Sequence, residues 1–71
     1  MRISELAKKA GCTVESIRFY ENHDLIPRPP RTESNYRVYG PAHLSRLLFI
    51  RHCRSLDLSL NEIRTLADVV E

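Results

Sequence analysis

Arginine side chains are concentrated in the middle third of this 71-residue chain. Residues 28–54 contain six arginines, no lysine and a single acidic residue, Glu33, so their formal net charge is +5. Residues 1–27 have four basic and four acidic residues and are neutral, and residues 55–71 carry −3 from one arginine and four acidic residues. The planar guanidinium suits phosphate oxygens and guanine edges. A solvated surface is the alternative, but this concentration of charge favours a polyanionic partner such as nucleic acid.

The other reactive side chains do not form a catalytic or metal-binding motif. Cys12 and Cys53 are far apart, neither Cys-x-x-Cys nor His-x-x-x-His occurs, and His52 lies beside Cys53 in the sequence. Adjacent residues point about 100° apart on a helix, so a tetrahedral zinc site is not expected. Paired carboxylates, a Ser/His/Asp set and a phosphate-binding loop are also missing, and a chain of 8.3 kDa buries too little surface to enclose an active site. We therefore expect one domain that is not an enzyme, with no membrane span and with free thiols in the cytoplasm.

Two short helices separated by a glycine are predicted at the N-terminus. Apolar residues recur at helical spacing on one face, namely Ile3, Leu6, Ala7 and Ala10. They predict a helix over residues 4–10, with Ser4 as its N-cap. Gly11 supplies a left-handed exit, and Thr13 caps a second helix that ends near Asn22. A pair of short helices separated by a glycine turn and a capping residue is typical of a helix-turn-helix.

A short two-stranded ribbon is predicted after the second helix. The prolines at positions 27, 29 and 30 exclude a helix there. The segment 36–39 alternates strand-forming residues and is expected to pair with Arg31 and Thr32 around a turn at residues 33–35. Such a ribbon beside a helix-turn-helix is a wing, and an irregular proline-rich loop is the alternative.

Two further helices complete the predicted fold. Gly40-Pro41 opens a third helix, whose apolar residues span several sides, so we expect it at the centre of the core. Ser59 and Glu62 form a capping box for a fourth helix over about residues 60–70, with an apolar face made by Ile63, Leu66, Ala67 and Val70. The predicted class is mainly α, a winged helix-turn-helix with four helices and a short two-stranded antiparallel ribbon.

Three motifs together resemble a known family. They are Ile-Arg-Phe-Tyr-Glu at 17–21, Leu-Ile-Pro at 25–27, and Arg31 followed by Asn-Tyr-Arg-Val-Tyr at 35–39. With them, residues 1–71 resemble the N-terminal DNA-binding domain of the MerR family of bacterial transcription regulators. The segment 49–57 is most similar to the subgroup that senses cadmium, lead and zinc. One departure is Ser34, where many relatives have glycine, so a left-handed turn residue would have to be Ser34 or Asn35.

The resemblance implies a function and partners. It implies sequence-specific binding to double-stranded promoter DNA by a homodimer that distorts the promoter, so that RNA polymerase engages both promoter elements. It also implies that the dimerisation helix and the effector-binding region lie beyond residue 71. A divalent heavy metal ion would bind there, and no cofactor or metal is expected within residues 1–71.

The candidate DNA-binding residues come from three elements, and each has a competing role. They are Ser16, Arg18 and Tyr20 on the second helix, Arg31, Asn35, Tyr36 and Arg37 on the wing, and Arg54 near the end of the third helix. Arg18 would reach a base edge or phosphate, or pair with Glu15 or Glu21. Tyr20 would reach a phosphate or lie at the rim of the core, while Phe19 is assigned to packing. Asn35 is also suited to a turn, and Arg54 to a helix C-terminus.

Two other functions fit the same pattern. An excisionase-like architectural protein would share the winged fold and bend DNA without an inducer. A protein-interaction module would use the apolar face of the last helix to bind a partner helix. Loss of DNA binding on substitution of Arg18 and Arg37 would separate the DNA-binding functions from the interaction module.

Overall fold

A computed structural model describes residues 1–29 and 37–70 of the chain, apart from the side chain of Val70. These residues form four helices, α1 (Ile3–Ala10), α2 (Val14–Asn22), α3 (Pro41–Ser55) and α4 (Leu60–Val70). α1 packs against both α2 and α3. The mainly α class is thereby confirmed. None of the helices in the described ranges is long and apolar enough to cross a bilayer.

The starts of α2 and α4 are fixed by the side chains predicted to cap them. The hydroxyl of Thr13 accepts the backbone N–H of Ser16 at 3.1 Å. Ser59 accepts the backbone N–H of Glu62 at 3.1 Å, and the Glu62 carboxylate accepts the backbone N–H of Ser59 at 2.9 Å. Both caps satisfy N–H groups that have no partner inside the helix.

The start of α1 differs from the prediction. Arg2 occupies the N-cap position without a side-chain cap, and Ser4 lies inside the helix. The cause is a contact 38 residues away along the chain, in which the backbone N–H of Tyr39 donates to the carbonyl of Met1 at 2.8 Å. This pairing lies directly before Arg2, whose backbone is extended (φ −82°, ψ 162°) up to the first helical residue.

The ends of α1, α2 and α3 share one backbone motif. After α1, Gly11 has φ +70°, Cys12 N–H donates to the carbonyl of Ala7 at 3.0 Å, and Gly11 N–H donates to that of Lys8 at 3.3 Å. This is a Schellman motif, and it confirms the predicted left-handed exit. The same pair of bonds closes α2 at Asp24 (φ +58°) and α3 at Asp57 (φ +62°). Each motif turns the chain so that the next apolar residue packs against the core.

The core lies between α1, α2 and the inner face of α3. Fully or almost fully buried side chains from every helix meet there, among them Leu6, Ile17, Leu25, Tyr39, Leu47, Ile50 and Ile63. The buried positions of α3 are spaced three or four residues apart and form one face, whereas Leu48 is 46% exposed. α3 therefore reaches the core through one face. On α4, Ile63 and Ala67 are buried but Leu66 faces outward.

The first strand and the turn of the predicted ribbon fall in residues 30–36, which lie outside the described residues. Directly after them Arg37 forms a single β-bridge, and Tyr39 pairs with Met1 and is buried. Within the described ranges no two-stranded ribbon is seen, and the wing stays a prediction.

Candidate nucleic-acid interface

A groove of about 560 Å³ lies where the start of α1, the outer side of α2 and residues 37–39 meet. Its polar lining comes from Arg2, Ser4, Arg18, Asn22, Arg37 and Tyr39. Three of these residues are arginines from three separate stretches of the chain. Their positive charges lie close together, so the groove has a positive electrostatic field that attracts anions.

Arg18 lies beside the buried face of α2 and is exposed. The helix is oriented by Ile17 and Glu21, which are four residues apart and both buried. Arg18 makes no hydrogen bond or ion pair with any residue in the described ranges, so the alternative pairing with Glu15 or Glu21 is not found. Its guanidinium is therefore available to a phosphate or a base edge.

The carboxylate of Glu21 is buried and joins α2 to the segment after residue 36. Glu21 is 2% exposed, its Oε1 forms an ion pair with Nη1 of Arg37, and its Oε2 accepts the hydroxyl of Tyr39 at 2.8 Å. The Tyr39 hydroxyl and the charge of Glu21 raise the pKa of Arg37 above its usual range. Burial, together with the bond to Glu21, raises the pKa of Tyr39, which therefore acts as a neutral donor.

The remaining predicted site residues lie around or away from this groove. Ser16 is half-buried and its hydroxyl accepts that of Thr13 at 3.0 Å, so it belongs to the cap of α2. Tyr20 is half-buried and packs against the core. Arg54 is exposed and donates to the carbonyl of Leu58 at 3.4 Å, outside the groove lining. Arg31, Asn35 and Tyr36 lie outside the described residues. The DNA contacts of all these residues stay predictions.

The sequence reasoning overlooked two residues of the site and misplaced a third. Arg2 contributed only to the charge count, and Glu21 only to the Ile-Arg-Phe-Tyr-Glu motif and as a possible partner for Arg18. The spacing of Val14, Ile17 and Glu21 places Glu21 on the inner face of α2, which was the available signal. Phe19, assigned to packing, is 45% exposed, and its ring lies against that of His23 with centroids 4.3 Å apart.

Two other arginines support the scaffold. Arg51 on α3 donates to the carbonyl of Ala10 at 3.0 Å, and Arg64 on α4 donates to the carbonyl of His23 at 2.5 Å. Each bond reaches the C-terminal end of another helix, where unpaired carbonyls and the helix dipole favour a cation. These arginines therefore tie α1 to α3 and α2 to α4.

The two cysteines occupy separate environments. Cys53 is buried in the core, and Cys12 is half-buried in the turn between α1 and α2. Burial raises the pKa of the Cys12 thiol, and nearby Arg51 opposes this in part. In the part of the chain that the structure describes, no three His, Cys, Asp or Glu residues are grouped to hold a metal ion. The described residues therefore do not fit a resident metal site.

A glycine-linked helix pair, whose second helix borders an arginine-lined groove, defines a helix-turn-helix domain. Residues 1–69 match the MerR HTH family of regulatory proteins, and the chain belongs to this family. The family resemblance found in the sequence motifs is thereby confirmed.

Known relatives agree with this assignment. The chain is 55% identical over 69 residues to an HTH-type transcriptional regulator ZntR homolog of Haemophilus influenzae, covering 97% of this chain and 51% of the relative. It is also 55% identical to PbrR691 of Ralstonia metallidurans, solved in complex with lead(II), with a TM-score of 0.91 over 97% of this chain and 54% of the other. HiNmlR, a MerR family regulator lacking the sensor domain and bound to promoter DNA, has a TM-score of 0.88 at 25% identity, over 97% of this chain and 52% of the other. The chain thus spans about half the length of these relatives.

Proposed function

We propose that residues 1–71 are the domain of a transcription regulator that binds double-stranded promoter DNA. The observation that carries the proposal is the groove in which Arg18, without a partner among the described residues, lies with Arg2 and Arg37 beside α2. A phosphate backbone supplies the opposite charge, and counterion release on neutralising it drives binding. The structure of HiNmlR on promoter DNA, which shares this fold, supports the same role here.

In this proposal α2 enters the major groove, as the second helix of a helix-turn-helix does. Arg18 contacts a base edge or phosphate, with Ser16 and Tyr20 at the border of the contact. Arg37, together with Arg31, Asn35 and Tyr36 of the predicted wing, contacts the adjacent backbone. Arg54, beyond this groove, contacts a further phosphate.

The whole protein is proposed to be a homodimeric, metal-responsive regulator in the cytoplasm. The regulator name of the Haemophilus influenzae relative supports the regulatory role, and the lead(II) bound to PbrR691 supports the metal response. The homodimer is what the family resemblance implies. The family resemblance implies that a divalent heavy metal ion would bind outside residues 1–71, and among the residues that the structure describes no three His, Cys, Asp or Glu side chains are grouped to hold one. The regulator would distort the promoter so that RNA polymerase engages both promoter elements.

The proposal is tested by fluorescence anisotropy of the 71-residue chain with labelled duplex DNA at 50 and 200 mM salt. Affinity should fall steeply with salt, and Arg18→Ala should make the slope of log K against log salt shallower by about 0.9, the value for one phosphate contact. Lys8→Ala is the matched control, because it removes one exposed positive charge from outside the groove lining. A salt-independent affinity, or equal slopes for the two variants, would contradict the proposal.

A further inference from the structure

Glu21 is an unusual residue to find in the interior of a domain this small. Its side chain is almost fully buried, and burying a carboxylate is costly unless it is paired and hydrogen-bonded. Both oxygens have partners, which lie 16 and 18 residues further along the chain at Arg37 and Tyr39. Glu21 thereby fixes residues 37–39 against α2.

The same contact determines where the guanidinium of Arg37 lies. Nη1 of Arg37 faces Glu21, while the side chain remains 35% exposed and lines the groove that also contains Arg18. A guanidinium has five N–H donors in a planar fork, so binding Glu21 through Nη1 leaves donors for a second oxyanion. The geometry allows Arg37 to bridge a buried carboxylate and a phosphate.

We propose that Glu21 is a positioning residue for DNA recognition, whose carboxylate holds Arg37 in one orientation beside Arg18 and lowers the net charge of the groove by one unit. This inference rests on the proposed function. The carboxylate strengthens discrimination between DNA sequences, because a fixed Arg37 sets the register of the backbone against α2. It also weakens sequence-independent binding, because it offsets one positive charge.

Because the carboxylate strengthens discrimination and weakens sequence-independent binding, Glu21→Gln should lower the first and raise the second. Loss of structure alone would lower both. The variant keeps the size of the side chain and one acceptor oxygen, but it removes the charge and replaces the second acceptor oxygen with an NH2 donor. Affinity for an unselected duplex should rise at low salt, and its slope against log salt should steepen by up to about 0.9. Preference for the selected duplex over a scrambled one should fall about fivefold or more.

The test starts by selecting a preferred duplex from a random pool with the wild-type 71-residue chain. Selected and scrambled duplexes are then titrated at 50 and 200 mM salt with the wild type, Glu21→Gln, Arg37→Lys and Ile63→Val, after the helix content of each has been checked by circular dichroism. Ile63→Val is the control for stability, because Ile63 is fully buried on α4 and does not line the groove. Its melting temperature should fall while its preference stays within about twofold of wild type.

Each outcome decides a different claim. Unchanged preference in folded Glu21→Gln, or an equal loss in Ile63→Val, would overturn the positioning role while leaving the proposed function intact. If Glu21→Gln does not fold, Arg37→Lys becomes the deciding variant. Lysine keeps the positive charge but lacks the planar guanidinium group. A loss of preference with an unchanged salt slope would support the inference, and an unchanged preference would overturn it. A wild-type chain that binds no duplex even when two copies are joined by a linker would refute the proposed function itself.

Discussion

Replacement of Gly11 by alanine tests how the turn between α1 and α2 is built. Gly11 has φ +70°, a conformation that costs a residue with a Cβ atom about 1 kcal/mol. A Cβ at this position would lie 2.4 Å from Nη1 of Arg51, so the guanidinium must move away and lose its bond to the carbonyl of Ala10. That bond is partly exposed and contributes about 1 kcal/mol. We therefore expect Gly11→Ala to lower the free energy of unfolding by about 2 kcal/mol, which for a domain of this size lowers Tm by about 10 °C.

Urea unfolding followed by circular dichroism measures this change, and two further variants separate its parts. Gly40→Ala is the matched control, because Gly40 has extended backbone (φ −124°) and nothing lies within 4 Å of a new Cβ. Its effect should stay within about 0.5 kcal/mol, since the poorer N-cap is offset by reduced entropy of the unfolded chain. In an Arg51→Ala background, Gly11→Ala should cost only about 1 kcal/mol. Equal effects of Gly11→Ala and Gly40→Ala, or equal costs in both backgrounds, would refute this account of the turn.

Three further predictions concern a cap, a carboxylate and a thiol. Thr13→Ala should lower the free energy of unfolding by about 1 kcal/mol, because Ser16 N–H loses its acceptor, and a thermal melt unchanged within about 2 °C would contradict this. Hydrogen bonds from Ser59 lower the pKa of Glu62 below its ordinary value of 4.5, so the stability from this cap is present at neutral pH and is lost as pH falls below about 4.5. Acid unfolding should show this loss in the wild type and less of it in Glu62→Gln. Burial raises the pKa of Cys12, so at pH 7 its alkylation by iodoacetamide should be slower than that of free cysteine, and equal rates would argue against the buried environment.

The helices were predictable from sequence because their boundaries are set locally. Thr13, Gly11 and the Ser59–Glu62 pair each act on backbone groups within a few residues, so sequence order alone locates them. The start of α1 was not predictable, because it depends on the pairing of Met1 with Tyr39. Contacts between residues so distant in sequence leave no periodic signal.

The arginine groove was predicted only in part for the same reason. Net charge and the helix-turn-helix pattern indicated Arg18, whose exposure follows from the helical period of α2. Sequence could not show that Arg37 is held by a buried carboxylate, since an ion pair over 16 residues requires the fold. It also could not show that Arg2 reaches the same groove, because the position of Arg2 depends on the start of α1.

The central claim is that duplex DNA binds at the groove formed by α1, α2 and residues 37–39. The most direct test is nuclear magnetic resonance of the nitrogen-15-labelled chain during titration with duplex DNA at low salt. The Nε–H signals of Arg18 and Arg37 and the backbone signals of α2 should shift together, while those of the exposed Leu66 and Val69 on α4 should not. Shifts concentrated on α4, with the arginine signals of the groove unchanged, would contradict the claim.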